Sequence, residues 1–292
     1  MNNLILRYML ILLGAGLAAC EGIGGVGILT KEFSPDLPEV PRLAVQCFIS
    51  PQDTVVGARI TWVEPTVGPV DFRQTQFDVV RNAWVVLSNG PDSLYLDSFS
   101  VFRGEYVART QNFPIEGGQT YFLLITTPEG YSVKSSCTVP ASVVNAQSVE
   151  ILKRPNQTGG FEFLVRWQDI PGEINYYSLH ELVLFQDTLL TRIQAESTQY
   201  NFSGEENDGG FFTSEPFPYT GSVVFNSGNR QQQLVFINHV DKNYYEFHRT
   251  LIEQTLRYVD GGTFAEPLEV YSNIEGGYGV FAGYNRLSVV VP

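Results

Sequence analysis

Apolar and polar side chains alternate in short runs along most of this chain, the period-two signature of half-buried strands. Between Arg42 and Pro140 the runs predict strands at Leu43–Ser50, Gly57–Val63, Ala83–Ser88, Ser93–Phe99, Glu105–Arg109, Thr120–Thr127 and Tyr131–Val139. Asn89-Gly90-Pro91-Asp92 and Pro128-Glu129-Gly130 punctuate them, with proline presetting φ and glycine accepting positive φ. Seven short strands over about 100 residues is the spacing of an immunoglobulin-like or fibronectin-like β-sandwich, here at 42–140. Trp62 and Trp84 sit in two of the apolar runs and are expected in its core.

A second β domain is expected over 141–292. Its predicted strands are Val149–Lys153, Phe161–Trp167, Tyr176–Phe185, Thr188–Ala195, Ser222–Phe225, Gln232–His239 and a closing Leu287–Val291. The pattern switches to helical spacing once, over 241–259. Phe247, Leu251, Leu256 and Val259 recur there, with Tyr244, Ile252 and Thr255 beside them; Asp241 is the N-cap and Gly261-Gly262 the stop. One amphipathic helix among strands must lay its apolar face on a sheet, because propensity alone does not hold it in water. After it comes a glycine- and aromatic-rich segment, Tyr271 to Tyr284.

The N-terminus reads as a processing signal. Residues 1–19 end in a short apolar run behind Arg7, and Leu17-Ala18-Ala19-Cys20 resembles a bacterial lipobox, in which Cys20 is acylated and becomes the new N-terminus. That run is half of what spans a bilayer, whereas two acyl chains anchor stably. Residues 20–41, glycine-rich and then proline-bearing, read as a tether. The expected address is a membrane surface, held by a lipid anchor with no spanning helix.

A formal net charge of −13 argues against nucleic acid, whose phosphates would be repelled. Cys47 and Cys137 are the cysteines left after Cys20. Both fall on core-facing positions of their strands, so a disulfide and a pair of buried free thiols both stay open.

Catalytic chemistry is hard to assemble from this sequence. The three histidines, His180, His239 and His248, have no His-x-x-x-His or Glu-x-x-His spacing, and no nucleophile elbow or phosphate loop is present. No metal or cofactor is expected. The polar loop Gly204–Gly210 carries Glu205, Glu206 and Asp208, hard oxygen ligands that lack calcium-loop spacing. Asn273, Tyr278, Phe281 and Tyr284 could form an aromatic wall for a sugar or peptide. Packing across the helix is the favoured alternative, with the glycines permitting close backbone approach.

Trp167-Gln168-Asp169-Ile170-Pro171-Gly172 with Asn175-Tyr176-Tyr177, the Tyr244-Tyr245 helix, Phe264-Ala265-Glu266-Pro267, Ser272–Gly277 and Gly279-Val280-Phe281 together resemble the domain-of-unknown-function 4249 family. The resemblance covers nearly all of the chain after Cys20. It implies a Bacteroidota outer-membrane lipoprotein, encoded beside TonB-dependent receptors and accessory to them, and it supplies no catalytic residues. The expectation is therefore a non-enzymatic binding or accessory module, the partner being a TonB-dependent receptor in nutrient uptake. A free-standing surface or adhesion module is the alternative, and a glycan- or peptide-cleaving hydrolase the least favoured.

Overall fold

The computed structural model describes residues 42–63, 79–186, 191–196, 200–224, 230–261 and 268–292, and the fold is mainly β with one long helix. The signal, Cys20, the tether, Gly262 and Phe264–Pro267 lie outside the described residues.

The first half supplies β1 (Arg42–Ile49), β2 (Val55–Val63), β3 (Trp84–Ser88), β4 (Ser93–Tyr95), β5 (Ser98–Ser100), β6 (Glu105–Arg109), β7 (Thr120–Thr126) and β8 (Ser132–Thr138). They form two layers in the orders β1-β2-β6-β5 and β4-β3-β7-β8. Lettered A to G with β4 as C′, these are the ABED and C′CFG sheets of an immunoglobulin-like sandwich. A tyrosine corner completes the likeness. Tyr121, near the start of β7, accepts from the Glu116 N–H at 2.7 Å and donates to the Pro114 carbonyl at 3.4 Å. Leu43, Val45, Cys47, Ile60, Leu87, Leu123 and Val133 fill the core between the layers.

The second half adds β9 (Glu150–Pro155), β10 (Phe161–Gln168), β11 (Tyr176–Gln186), β12 (Thr191–Glu196), β13 (Tyr200–Ser203), β14 (Phe211–Thr213), β15 (Phe217–Pro218), β16 (Val223–Val224), β17 (Arg230–Val240), helix α1 (Lys242–Gly261) and β18 (Tyr278–Val291). The two cores divide near residue 140, but one sheet runs through both. The order β12-β11-β17-β18-β1-β2-β6-β5 places β18 between the halves, parallel to β1 and antiparallel to β17. On one face of β18, Phe281 enters the first core, while Leu287, Val289 and Val291 enter the second, built on Phe163, Val165, Trp167, Tyr177 and Ile237. The opposite face, with Val280, Ala282 and Tyr284, meets α1. Both smaller sheets thus cover one side of the large sheet, and the helix covers part of the other.

This corrects the expected closing strand, which was to begin at Leu287. The strand begins at Tyr278 and takes in half of the glycine-aromatic segment. Residues 280–285 are buried on both faces, so they show no alternation to betray a strand. The glycines allow the approach to β1 and β8. At Gly279, φ is +103° and any Cβ would overlap the Val45 carbonyl oxygen; at Gly283 it would lie 2.8 Å from Val139 Cα. A second correction is Trp84, which points outward at 60% exposure, whereas Trp62 is half-buried against Tyr131. Trp84 begins β3 on its outer phase, and alternation of apolar residues on both faces hid this.

Candidate functional site

Helix α1 starts where the sheet lets it. Asp241 Oδ1 accepts from the Tyr244 N–H at 2.8 Å, the N-cap bond, while Oδ2 accepts from the Gly283 N–H of β18 at 3.1 Å. The same carboxylate thus opens the helix and ties it to the sheet, and burial pushes its pKa up to about 7 against those hydrogen bonds. Tyr244 and Phe247 then pack on the sheet with Tyr176, Val240, Val280, Ala282 and Tyr284. Further along, Thr250 Oγ1 accepts from the Tyr271 N–H at 2.9 Å, so the returning segment replaces the sheet as the helix's neighbour. Leu251, Ile252, Thr255 and Leu256, expected on the buried face, are exposed, and the side chain of Val259 lies outside the described residues.

Where the helix parts from the sheet, a cleft of about 570 Å³ opens between α1, the returning segment and the outer faces of β1 and β2. Its apolar surface comes from Ala44, Val63, Phe247, Val270, Tyr271 and Tyr278. Gln46, Arg59, Thr61, Gln254 and Glu269 bring polar groups to it. A neighbouring hollow of about 260 Å³ shares Gln46 and Arg59 and adds Arg103 and Glu105. Arg59 stands at the junction, 3.4 Å from Glu105 and donating to the Arg103 carbonyl at 3.1 Å. The larger cleft has the size and the mixture of apolar wall and few polar groups that small ligands occupy.

Of the expected binding residues, Tyr278 reaches this cleft, with the Arg42 guanidinium 5.4 Å from its ring centre and bonded to its hydroxyl. The others serve the fold. Asn273 spans the Phe281 backbone, accepting from its N–H at 3.0 Å and donating to its carbonyl at 2.7 Å. Its own carbonyl accepts from Ser135 Oγ of β8, closing a clasp between the sheets. Phe281 is fully buried, and the Tyr284 hydroxyl donates to Asp53 Oδ2 at 2.8 Å. Packing therefore accounts for Asn273, Phe281 and Tyr284, whereas Tyr271 and Tyr278 line the cleft.

The acidic loop is likewise tied down. Asp208 Oδ1 accepts from the Gly172 N–H at 2.8 Å, and Glu205 Oε1 accepts from the Tyr176 hydroxyl at 3.3 Å, while Glu206 is exposed. Beneath it, buried Asp169 accepts from the Tyr177 hydroxyl (2.7 Å), Asn175 Nδ2 (3.2 Å) and the Gly209 N–H (3.0 Å). These residues of the Trp167–Tyr177 motif are a structural anchor for the loop. Among the described residues, no group of three or more His, Cys, Asp or Glu side chains could hold a metal.

The histidines are also enclosed. His239 Nδ1 donates to the Ser142 carbonyl and His248 Nδ1 to the Tyr244 carbonyl, each at 2.9 Å, and His180 Nε2 lies 3.0 Å from Ser178 Oγ and 3.4 Å from the Tyr244 hydroxyl. Burial lowers the pKa of all three, that of His180 to about 4. Cys47 and Cys137 are buried free thiols in the first core; burial raises both pKa values, Cys47 to about 12.

The cleft residues other than Tyr278 escaped the sequence because they come from four separate stretches. The one local signal was polar Gln46, Arg59 and Thr61 at the outward phase of two otherwise apolar strands.

No curated protein matches the chain. Among solved structures, the FN1–FN3 domains of chicken CNTN1 share 10% identity at a TM-score of 0.25, over 86% of this chain and 66% of that one. The family described as "Domain of unknown function (DUF4249)" matches residues 30–288, and the chain belongs to that family.

Proposed function

We propose that this protein is a non-enzymatic binding module, held at the outer membrane by a lipid on Cys20, which uses the helix-side cleft as an accessory to a TonB-dependent receptor. The observation that carries the binding part is the cleft itself, with Arg59, Gln46 and Gln254 converging on an apolar wall. The receptor and the address are supported by the family resemblance and the lipobox. Asp241, Tyr177 and Tyr284, whose pKa values burial raises strongly, are spent on internal hydrogen bonds to Tyr244 and Gly283, Asp169, and Asp53 respectively. A tethered module raises its effective concentration at a neighbour in the same membrane, so a modest interface is enough.

The test is purification of a tagged chain in mild detergent at native expression, with and without a blocked cleft. A receptor should co-purify with the wild type, and Thr61→Trp or Gln254→Trp should reduce its recovery at least tenfold while leaving the melting temperature within a few degrees. Recovery of the chain alone, with crosslinking also blank, would sink the accessory reading in favour of a free-standing surface module.

A further inference from the structure

Three connections gather at the end of the first sandwich where β1 begins. Arg42 pairs with Val63, the last residue of β2, and the end of β2 meets the β7–β8 turn through the ring contact of Trp62 with Tyr131. Gly104, in the turn from β5 to β6, lies against Val79, where the chain crosses to β3. That turn is tight. The Ser100 carbonyl accepts from the Gly104 N–H at 2.8 Å and the Arg103 N–H at 3.2 Å, and Gly104 takes the φ of +65° that closes it. Its two projecting residues are Val101 and Phe102, 75% and 102% exposed. Such positions ordinarily carry Gly, Asn, Asp, Ser or Pro, for backbone reasons that neither Val nor Phe serves. The pair adds nothing to the core either. Single exposed apolar side chains are ordinary on a surface, but two adjacent ones projecting from a turn tip, with exposed Arg103 next to them, form a small wedge.

We propose that this turn is a membrane-contact tip, with Val101 and Phe102 seated among the lipids of the bilayer interface and Arg103 on headgroup phosphates. The occupant follows from where the chain leaves the fold. Residues 1–41 join the structure at Arg42, so a lipid on Cys20 draws this end, rather than the opposite one, toward the bilayer. To that extent the proposal rests on the lipid anchor. Trp84, 60% exposed as the first residue of β3, stands at the same end, and tryptophan is enriched at membrane–water interfaces. Local charge agrees, although the whole chain is acidic. Among the described residues, the loops of this end expose Arg81 and Arg103 against Glu129, and β1 opens on exposed Arg42. The planar guanidinium fork matches phosphate oxygens. The size of the wedge sets its task. Two side chains bury far less apolar surface than one acyl chain, which alone holds a protein only marginally, so the tip orients the tethered domain and does not anchor it. Docked in this way, the cleft beside Arg59, which donates to the Arg103 carbonyl, sits close to the membrane plane.

The experiment places an environment-sensitive dye on Val101→Cys of the full chain. Asp92→Cys, in the turn between β3 and β4 at the opposite end of the sandwich, is the control. Buried Cys47 and Cys137 stay unlabelled in the folded chain. Each chain is put on phosphatidylethanolamine–phosphatidylcholine vesicles in two ways: through its own acylated Cys20, and, with Cys20→Ser, through an N-terminal histidine tag on a nickel-chelating lipid. The dye at 101 should shift to the blue and be quenched by a spin label near the headgroups, while the dye at 92 reports water. Adding Phe102→Asp, at a position too exposed to affect the fold, should lower the docked fraction at least tenfold. A missing acyl chain on Cys20 would sink the anchor alone, since the tagged chain still reads the tip. Water-like emission from 101 on the tagged chain, no effect of Phe102→Asp, or a photo-crosslink from position 102 that goes in cells to a protein instead of lipid would each overturn the proposal.

Discussion

Asp241 and His180 sit within one helical turn's reach of the same sheet and respond to acid in opposite directions. The Asp241 pKa rises from 3.8 to about 7 because burial disfavours its charge, so its contribution is complete below pH 4 and is lost as pH rises through 7. Converted directly, that shift is on the order of 4 kcal/mol. The pKa of His180 falls from 6.5 to about 4, again by burial, so its contribution is complete above pH 6.5 and is lost as pH falls towards 4. Between pH 4 and pH 6.5 the two oppose each other, and His239 and His248 reinforce His180. Asp241→Ser keeps a capping oxygen but removes the charge. Its cost relative to wild type should be largest at pH 4 and shrink or reverse by pH 8, as read from denaturant midpoints across that range. An equal cost at both ends would mean the carboxylate is not penalised. Of these residues the cap was legible in the sequence, since Asp before a helical run needs only local context. The enclosure of the histidines was not, because it is made by partners as distant as Ser142 from His239.

At the level of elements, β18 and α1 carry the lesson about sequence. The helix start and most of the β1–β8 sandwich followed from patterns that repeat locally. The one expected strand Ser93–Phe99, however, is broken at Leu96-Asp97 into β4 and β5, which join opposite layers, a switch that alternation alone does not record. The central strand escaped as well, because a segment buried on both faces and spaced with glycines looks like a loop. The outer turns of α1 failed for the converse reason: the apolar positions are helical, but the helix parts from the sheet after Thr250 and nothing in the periodicity records where a neighbour stops. Part of the cleft exists because of that mismatch, so it was invisible for the same reason. Gly279→Ala should be severe, since the residue combines positive φ with contact against the Val45 carbonyl. A loss of at least about 3 kcal/mol in urea denaturation is expected, whereas Gly130→Ala, positive in φ with open space around it, should cost only about 1 kcal/mol. Comparable losses at the two positions would show that the β1–β18 approach is looser than described.

For the whole molecule, the proposed reading separates two tasks: attachment through a lipid on Cys20, and binding of a ligand or receptor at the cleft. The attachment is the simplest to test. Cys20→Ala should release the protein from membranes after a high-salt wash, since among the described residues no helix is long and apolar enough to cross one. Retention in the pellet would refute the lipobox.

The placement of β18 also bears on how the protein is made. Arg42 and Tyr278 touch although 236 residues separate them, and the strand between the halves completes both cores. A nascent chain that has not yet produced residue 278 therefore lacks the seam of both sandwiches, and long-range pairing of this kind is slow to form. Both cores are therefore expected to close together, late, once residues 278–291 have been made.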